Sequence, residues 1–192
     1  SLVRRSGGLP IRVASKSVRS VPLLKRVLAR KGFRGVLAYR ASEAVFLASN
    51  GNRDVVVAYP TTEEEELREV AAAVRGGAEI TRMADRPEHL RLYSAAAQRS
   101  GTPLRFALDL DLSIRLPGLH FGVHRSWLNS VDRLESILSA LPRIPVLQLD
   151  GAMGYEAQVA GVDDRSAIAR GLKRATWSRV VARRVAMVAA IR

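Results

Sequence analysis

The sequence predicts an α/β protein, namely a parallel (β/α) barrel of the TIM type truncated to about six β-α units. Short β-branched runs alternate with longer helical patterns along all 192 residues, and this alternation is typical of a parallel sheet with crossover helices. Neither G-x-G-x-x-G nor G-x-x-x-x-G-K-[ST] occurs, which counts against an open nucleotide-binding sheet. Six units are two short of a closed eight-fold barrel.

Each element rests on a local pattern. Apolar and β-branched runs predict strands at 11–16, 35–40, 54–60, 78–84, 103–111 and 146–150. Helical periodicity predicts helices near 21–31, 42–49, 63–75, 86–100 and 130–141, and from about 165 to 192. Ser42, Thr62 and Asp85 are the expected caps at three helix starts. The first eight residues resemble the last turns of a helix that glycine closes.

Composition and charge narrow the classes of protein. With no cysteine there is no disulfide, thiolate zinc site or cysteine nucleophile, and a cytoplasmic location is expected. The net charge of +13 is compatible with nucleic acid, but the arginines are spread along the chain and only 5% of residues are aromatic. We therefore expect no specific nucleic-acid partner. No apolar run approaches the roughly 18 residues of a membrane span, so no membrane partner is expected either.

Lys16 is the first candidate for chemistry. The chain has only four lysines among 31 basic residues, and this one ends the first predicted strand. A lysine can lose its proton in a buried site and form a Schiff base with a carbonyl, which an arginine cannot do. Ala14, predicted on the same strand face, would leave room for a planar ligand. The alternative is an ordinary solvated lysine at a strand end.

The fifth predicted strand places Asp109 and Asp111 on one face, with leucines on the other. The aspartates are expected to face the barrel interior, where burial requires a partner. That partner is expected to be a cation such as Arg115 or a group of a cofactor. The alternative is a structural network with Arg105 or Arg82.

Histidines give weak signals. His120 and His124 are four residues apart, but Pro117 and Gly122 favour a loop there, so no metal site is predicted. His89 falls on a charged helix and is expected to be solvated.

Several stretches together resemble a known superfamily. Pro10–Arg19 resembles the first barrel strand of the alanine-racemase-like, fold-type III enzymes that use pyridoxal phosphate. Residues 35–44, 54–60 and 107–126 resemble the next strands and a following loop, and Gly151–Tyr155 resembles the end of the sixth. Within the superfamily the chain looks most like the D-threonine-aldolase-like amino acid aldolases and deaminases. The resemblance covers essentially the whole chain.

This resemblance implies roles for individual residues. Lys16 would hold the cofactor aldehyde as a Schiff base, Tyr155 would pack against the pyridine ring, and Arg115 would lie near the polar edge of that ring. Asp109 and Asp111, together with Tyr39, would orient Arg115 or the substrate.

The sequence also departs from the superfamily pattern. Ser20 stands where racemases carry a tyrosine, and Asp111-Leu-Ser113 replaces a D-T-G motif, which weighs against an alanine racemase. The last two barrel units and the C-terminal β-domain, which would grip the cofactor phosphate and supply any divalent metal, are expected beyond Arg192. Residues 1–192 are thus expected to be a partial pyridoxal-phosphate-binding barrel domain, inactive alone, from a protein that forms a possible homodimer.

The leading functional hypothesis is a pyridoxal-phosphate-dependent lyase, either an aldolase or a deaminase/dehydratase, acting on a D- or β-hydroxy amino acid. One alternative is a non-catalytic barrel protein that binds pyridoxal phosphate. The other is a basic α/β domain that binds nucleic acid.

Overall fold

Helices and strands alternate along the chain. The structure is a computed structural model that describes residues 2–116, 119–160 and 166–192. The helices are α1 (Leu2–Arg5), α2 (Val21–Leu28), α3 (Ala41–Ser49), α4 (Glu64–Arg75), α5 (Pro87–Ser100), α6 (Val131–Leu138), α7 (Ala157–Ala160) and α8 (Ala167–Ile191). The strands are β1 (Ile11–Ala14), β2 (Phe33–Ala38), β3 (Asp54–Val57), β4 (Glu79–Ala84), β5 (Leu104–Leu110), β6 (Ile114–Leu116), β7 (Leu119–Phe121) and β8 (Leu147–Gly154).

Six of these strands form one sheet in the order β1-β2-β3-β4-β5-β8. The pairs from β1 to β4 are parallel, with Val36 opposite Val55 and Val55 opposite Ile80. The predicted alternation of six strands with helices is thereby confirmed. The sequence did not predict the separate antiparallel hairpin of β6 and β7, which lies in a stretch interpreted as a loop.

The chain divides into two compact units. The first unit contains Ser1–Ala84, Glu88–Ala107 and Pro145–Asp150, and the second contains Asp85–Pro87, Leu108–Ile144 and Gly151–Arg192. Two of the boundaries between the units fall inside β5 and inside β8.

The core of the first unit follows from the two side-chain periodicities. Alternate residues of parallel strands and one stripe of each covering helix are apolar, so both bury against each other. The strand residues of this core are Val36, Ala38, Val55, Val57 and Ile80. The helix residues are Leu24, Ala41, Ala44, Leu47 and Val70.

The second unit contains the β6–β7 hairpin and the helices α6, α7 and α8, and α8 packs against α6 and β6. Two long side chains fix loop backbone in this unit. Gln158 Nε2 donates to Leu112 O at 2.8 Å, and a guanidinium N–H of Arg183 donates to Ser113 O. None of the helices in the described ranges combines the length and apolarity needed to cross a bilayer.

Both faces of β5 are buried, which is compatible with leucines that face helices and aspartates that face a barrel interior. Asp109 and Asp111 are buried, and so are Leu108, Leu110 and Leu112. Because a strand of a parallel sheet is covered on both faces, burial does not separate the two sets of side chains, and the orientation of the aspartates towards a barrel interior stays a prediction.

Candidate active site

Lys16 lies in a turn directly after β1. The strand ends at Ala14, two residues earlier than predicted, and Ser15 is tied to β2 because its N–H and its Oγ both donate to Leu37 O, at 3.0 and 3.1 Å. Val18 N–H then donates to Ser15 O at 2.9 Å, which closes the turn. The prediction that Lys16 shares a strand face with Ala14 is wrong, because the pleat has ended before Lys16. Its side chain is exposed.

Lys16 lines a cavity of about 820 Å³ in the first unit. The apolar wall of this cavity comes from α2 and α3 and includes Leu24, Phe46 and Leu47. Pockets for small molecules have volumes of roughly 300–1,000 Å³ and combine an apolar lining with a few polar groups. Because Lys16 is exposed and lines this cavity, its amine is accessible to a ligand there.

Tyr39 lies beside Lys16 at the same end of the sheet. It directly follows β2, and Lys16 Nζ is 5.8 Å from the centre of its ring. The ring packs edge to face on Tyr59, with 5.0 Å between centroids. Glu43 fixes the backbone, because Tyr39 N–H donates to Glu43 Oε2 at 2.7 Å at the start of α3. The two tyrosines therefore form an aromatic surface next to the lysine.

Asp109 is a buried carboxylate of the second unit that pairs with Arg125. Arg125 Nε lies 2.8 and 3.0 Å from the two oxygens of Asp109. Burial raises the pKa of Asp109 to about 6, and the charges of Asp85 and Asp111 act in the same direction, whereas Arg125 opposes the shift. Asp109 can thus change its protonation state within the neutral to mildly acidic range.

Asp111 is fully buried and is fixed by short local contacts. Its Oδ1 accepts from Ser113 N–H at 2.7 Å, and its backbone N–H donates to Leu128 O at 2.8 Å. His124 Nδ1 lies 2.9 Å from Oδ2, yet this oxygen has no aligned hydrogen bond among the described residues. The two side chains are therefore in close contact without an aligned hydrogen bond.

The structure corrects the predicted partners of the two aspartates. Asp109 pairs with Arg125 and not with Arg115, which is exposed on β6 opposite His120. The alternative network is also wrong, because Arg105 pairs with Glu79 and Asp150 within the first unit.

Arg82 is not a partner of the aspartates either. It is fully buried, donates to Arg105 O at 3.3 Å and stacks on Tyr93 at 4.3 Å. Burial lowers the pKa of Arg82 to about 10. The guanidinium belongs to the packing of β4 against α5.

The remaining candidates are placed by their elements. Tyr155 directly follows β8 and is half-exposed. Tyr155, Arg115, Asp109 and Asp111 belong to the second unit, whereas Lys16 and Tyr39 belong to the first. That all six serve one site stays a prediction.

Sequence reasoning missed Arg125 and His124 as the partners of the aspartates. Both lie in the stretch His124-Arg125-Ser126, which carried part of the resemblance but received no role. Two buried carboxylates need nearby cations, and the loop that follows β5 carries basic residues. This requirement could have identified the two partners from the sequence. His89 was also misjudged, since it is buried and stacks on Tyr93 with 6.2 Å between centroids.

Within the described ranges, no group of three or more His, Cys, Asp or Glu side chains is arranged to hold a metal ion. His120 and His124 are near each other, with 6.3 Å between ring centroids. Of these two histidines, His124 contacts the carboxylate of Asp111.

A six-stranded sheet whose strands alternate with helices defines an α/β protein, and this arrangement is consistent with part of a barrel of the TIM type. A family model described as alanine racemase, N-terminal domain, matches residues 12–188. The chain belongs to this family.

Curated and solved relatives point the same way. The chain is 26% identical over 159 residues to 3-hydroxy-D-aspartate aldolase of Paracoccus denitrificans, which covers 83% of this chain and 39% of the relative. The structure of D-threonine aldolase from Filomicrobium marinum matches with a TM-score of 0.78 at 20% identity, over 97% of this chain and 47% of that one. D-threo-3-hydroxyaspartate dehydratase from Delftia sp. HT23 matches with a TM-score of 0.70 at 18% identity, over 98% and 47%. The chain thus spans less than half the length of these relatives.

Proposed function

We propose that this chain forms the lysine-bearing part of a pyridoxal-phosphate-dependent lyase that acts on a D- or β-hydroxy amino acid. The observation that carries the proposal is the accessible amine of Lys16, which lines a cavity of about 820 Å³ at the carboxyl ends of β1 and β2. The family match and the relatives, which are aldolases and a dehydratase of 3-hydroxy-D-amino acids by name, support this reaction class.

The residues present fit the cofactor. Lys16 would hold its aldehyde, and the apolar wall of the cavity next to the Tyr39–Tyr59 pair suits a planar ring. When bound, pyridoxal phosphate acts as an electron sink that lets a bond to the substrate Cα break. Tyr155 would pack against the ring and Arg115 would lie near its polar edge.

The protein groups would divide the remaining work. Tyr39 would orient the substrate through its hydroxyl, because Glu43 fixes its backbone beside Lys16. Asp109 would act as a positioning residue that holds Arg125. Asp111 would hold His124 in the same manner. Any divalent metal, and a second subunit, would be contributed from outside these 192 residues.

Trapping of the cofactor tests the proposal. The protein is incubated with pyridoxal phosphate, reduced with borohydride and digested, and the labelled peptides are identified by mass spectrometry. The label is expected on Lys16, because the other three lysines lie outside this cavity. Lys16→Arg should abolish the label, whereas Lys31→Arg should keep it. An equal label on all four lysines would contradict the proposal.

Protection by amino acids tests the substrate class. A 3-hydroxy-D-amino acid that occupies the cofactor site should protect Lys16 from borohydride labelling in a dose-dependent manner, and its L-enantiomer should not. Equal protection by both enantiomers would leave a barrel that binds pyridoxal phosphate without the proposed selectivity, and would refute the substrate assignment.

A further inference from the structure

The ends of three neighbouring strands bring an aromatic pair to the amine of Lys16. Lys16, Tyr39 and Tyr59 follow the carboxyl ends of β1, β2 and β3, which are adjacent and parallel in the sheet. Lys16 Nζ lies 5.8 Å from the centre of the Tyr39 ring, and the centres of the Tyr39 and Tyr59 rings are 5.0 Å apart. The three side chains therefore form a row in which Tyr39 contacts both of the others.

The backbone of Tyr59 is held on both sides. Ala58 N–H donates to the last carbonyl of β2 at 2.8 Å, which continues the pairing of β3 with β2 up to the residue before Tyr59. On the other side, Pro60 restricts the backbone of the residue that precedes it, and Thr61 N–H donates to the hydroxyl of Tyr93 at 3.3 Å. The ring of Tyr59 is consequently attached to a fixed segment of the first unit.

The side chain of Lys16, in contrast, has many accessible rotamers. It is exposed and carries four methylene groups, and ordering a lysine side chain costs more rotamer entropy than ordering most others. The face of an aromatic ring attracts a cation within about 6 Å of its centre, so the Tyr39 ring favours the rotamers that place the amine beside it. Because both residues line the cavity of about 820 Å³, these rotamers keep the amine at that cavity.

The ring of Tyr39 can direct the amine only if the ring itself has a fixed orientation. Glu43 fixes the backbone of Tyr39 but does not restrict rotation about its side-chain bonds. Tyr59 contacts the ring at an interplanar angle of 63°, which is the edge-to-face geometry that aromatic pairs favour. Tyr59 therefore determines the direction in which the face of Tyr39 points.

We propose that Tyr59 is a positioning residue that, through the ring of Tyr39, orients the amine of Lys16 towards a carbonyl group in the cavity. The chemical consequence rests on the proposed function of Lys16, whereas the orientation is a property of the protein alone. Both rings are accessible to a ligand, since Tyr39 is 46% and Tyr59 is 41% exposed. An amine that is already oriented loses less rotamer entropy when it forms a bond, so it reacts faster.

Carbon-13 NMR of the lysine side chains tests the orientation without any cofactor. The protein contains only four lysines, so selective labelling gives four ε-methylene signals, and Lys16→Arg identifies the signal of Lys16. The ring current of Tyr39 should shift the ε protons of Lys16 upfield relative to their position in Tyr39→Leu. Tyr59→Phe keeps the ring contact and should preserve this upfield shift. Tyr59→Ala, and Tyr59→Leu with its larger apolar side chain, should remove most of it.

The rate of labelling by pyridoxal phosphate tests the chemical consequence. The amine of Lys16 adds to the aldehyde carbon with loss of water, borohydride then delivers hydride to that carbon, and mass spectrometry follows the label with time. Tyr59→Ala should slow the labelling of Lys16 by about five-fold, as expected for the loss of an aromatic contact, and leave the other three lysines unchanged. Tyr59→Phe should restore the rate. Leu23→Ala shortens a similarly exposed side chain of α2 outside the cavity lining and should change neither measurement.

The two measurements separate this positioning role from the proposed function. An ε-methylene signal of Lys16 that is the same in Tyr59→Ala as in the wild type would overturn the positioning role, and so would equal labelling rates. An equal loss in Tyr59→Phe and Tyr59→Ala would also overturn it, because the ring contact would then not be the cause. A wild type without label on Lys16, but with an NMR shift that depends on Tyr59, would refute the proposed function and support the orientation.

Discussion

At the scale of single residues, the ionisation of Asp109 couples the stability of the protein to pH. Burial raises the pKa of Asp109 to about 6 from an ordinary value near 3.8. The folded state then binds this proton more tightly than the unfolded state does. The contribution is fully present below about pH 4 and is lost as the pH rises through about 6.

Asp109→Asn tests this coupling. The free energy of unfolding of the wild type, relative to the variant, should fall by up to about 3 kcal/mol between pH 4 and pH 7. Urea unfolding at several pH values measures this difference, and Asp132→Asn, on the surface of α6, provides a control. A difference between wild type and variant that is independent of pH would contradict a raised pKa.

Glu66 is expected to show the opposite pH dependence. Burial acts to raise the pKa of Glu66, but hydrogen bonds from Thr61 and Ser42 and the guanidinium of Arg40 outweigh it, so the pKa lies below 4.5. Glu66→Gln should therefore destabilise the protein by about 1 kcal/mol at neutral pH. Because the folded pKa is lowered, the difference should disappear as the pH falls through that pKa. Unfolding at pH 7 and pH 3.5 checks this, and Glu63→Gln, an exposed residue directly before α4, is the control.

At the scale of secondary structure elements, Tyr93 connects α5 to β4 and to the segment after β3. Its hydroxyl donates to Met83 O at 2.7 Å and accepts from Thr61 N–H at 3.3 Å. Tyr93→Phe should cost about 1–3 kcal/mol of unfolding free energy, because two buried backbone groups would lose their partner. Thermal unfolding measures the loss. Tyr39→Phe removes a half-exposed hydroxyl and should change stability by less than about 0.5 kcal/mol.

Local sequence patterns predicted the helices and strands well. The alternation of apolar residues in a strand and the charge at a helix start depend on the element itself and on how it is buried in the sheet. Val55 and Val57 are buried on β3 as alternation requires, and the acidic start of α4 at Glu64 follows the expected charge preference. The β6–β7 hairpin escaped notice because Ile114 and Phe121 pair across a short segment whose proline and glycine indicated a loop. The end of β1 was missed because the chain turns directly after it: Ser17 N–H donates to Ala14 O at 3.3 Å and Val18 N–H donates to Ser15 O at 2.9 Å.

The candidate site was predictable in its residue types but not in its pairs. Lys16 and Tyr39 were found because each lies at the carboxyl end of a predicted strand, where parallel sheets collect functional groups. The partner of Asp109 could not be derived from alternation, because Arg125 lies 16 residues away on a different segment. Only the folded loop decides which of several nearby arginines reaches a buried carboxylate.

At the scale of the whole molecule, the net charge of +13 and the distribution of the arginines predict the affinity and the sequence preference of the protein for nucleic acid. Many arginines are occupied in pairs on separate elements, as in Arg12–Asp54, Arg105–Asp150 and Arg184–Glu156. We therefore expect weak association without sequence preference. The logarithm of the association constant should fall linearly with the logarithm of the salt concentration, with a slope of about −0.9 for each neutralised phosphate.

Fluorescence anisotropy with two unrelated DNA duplexes over a series of salt concentrations checks this expectation. Both duplexes should bind with equal affinity at low salt and be released at about 0.15 M salt, where the Debye length has fallen to about 8 Å. The reason is that scattered arginines can contact phosphates but present no ordered set of side chains to the base edges. A complex that prefers one sequence and persists at this salt concentration would require base contacts. It would favour a nucleic-acid-binding domain over the proposed lyase.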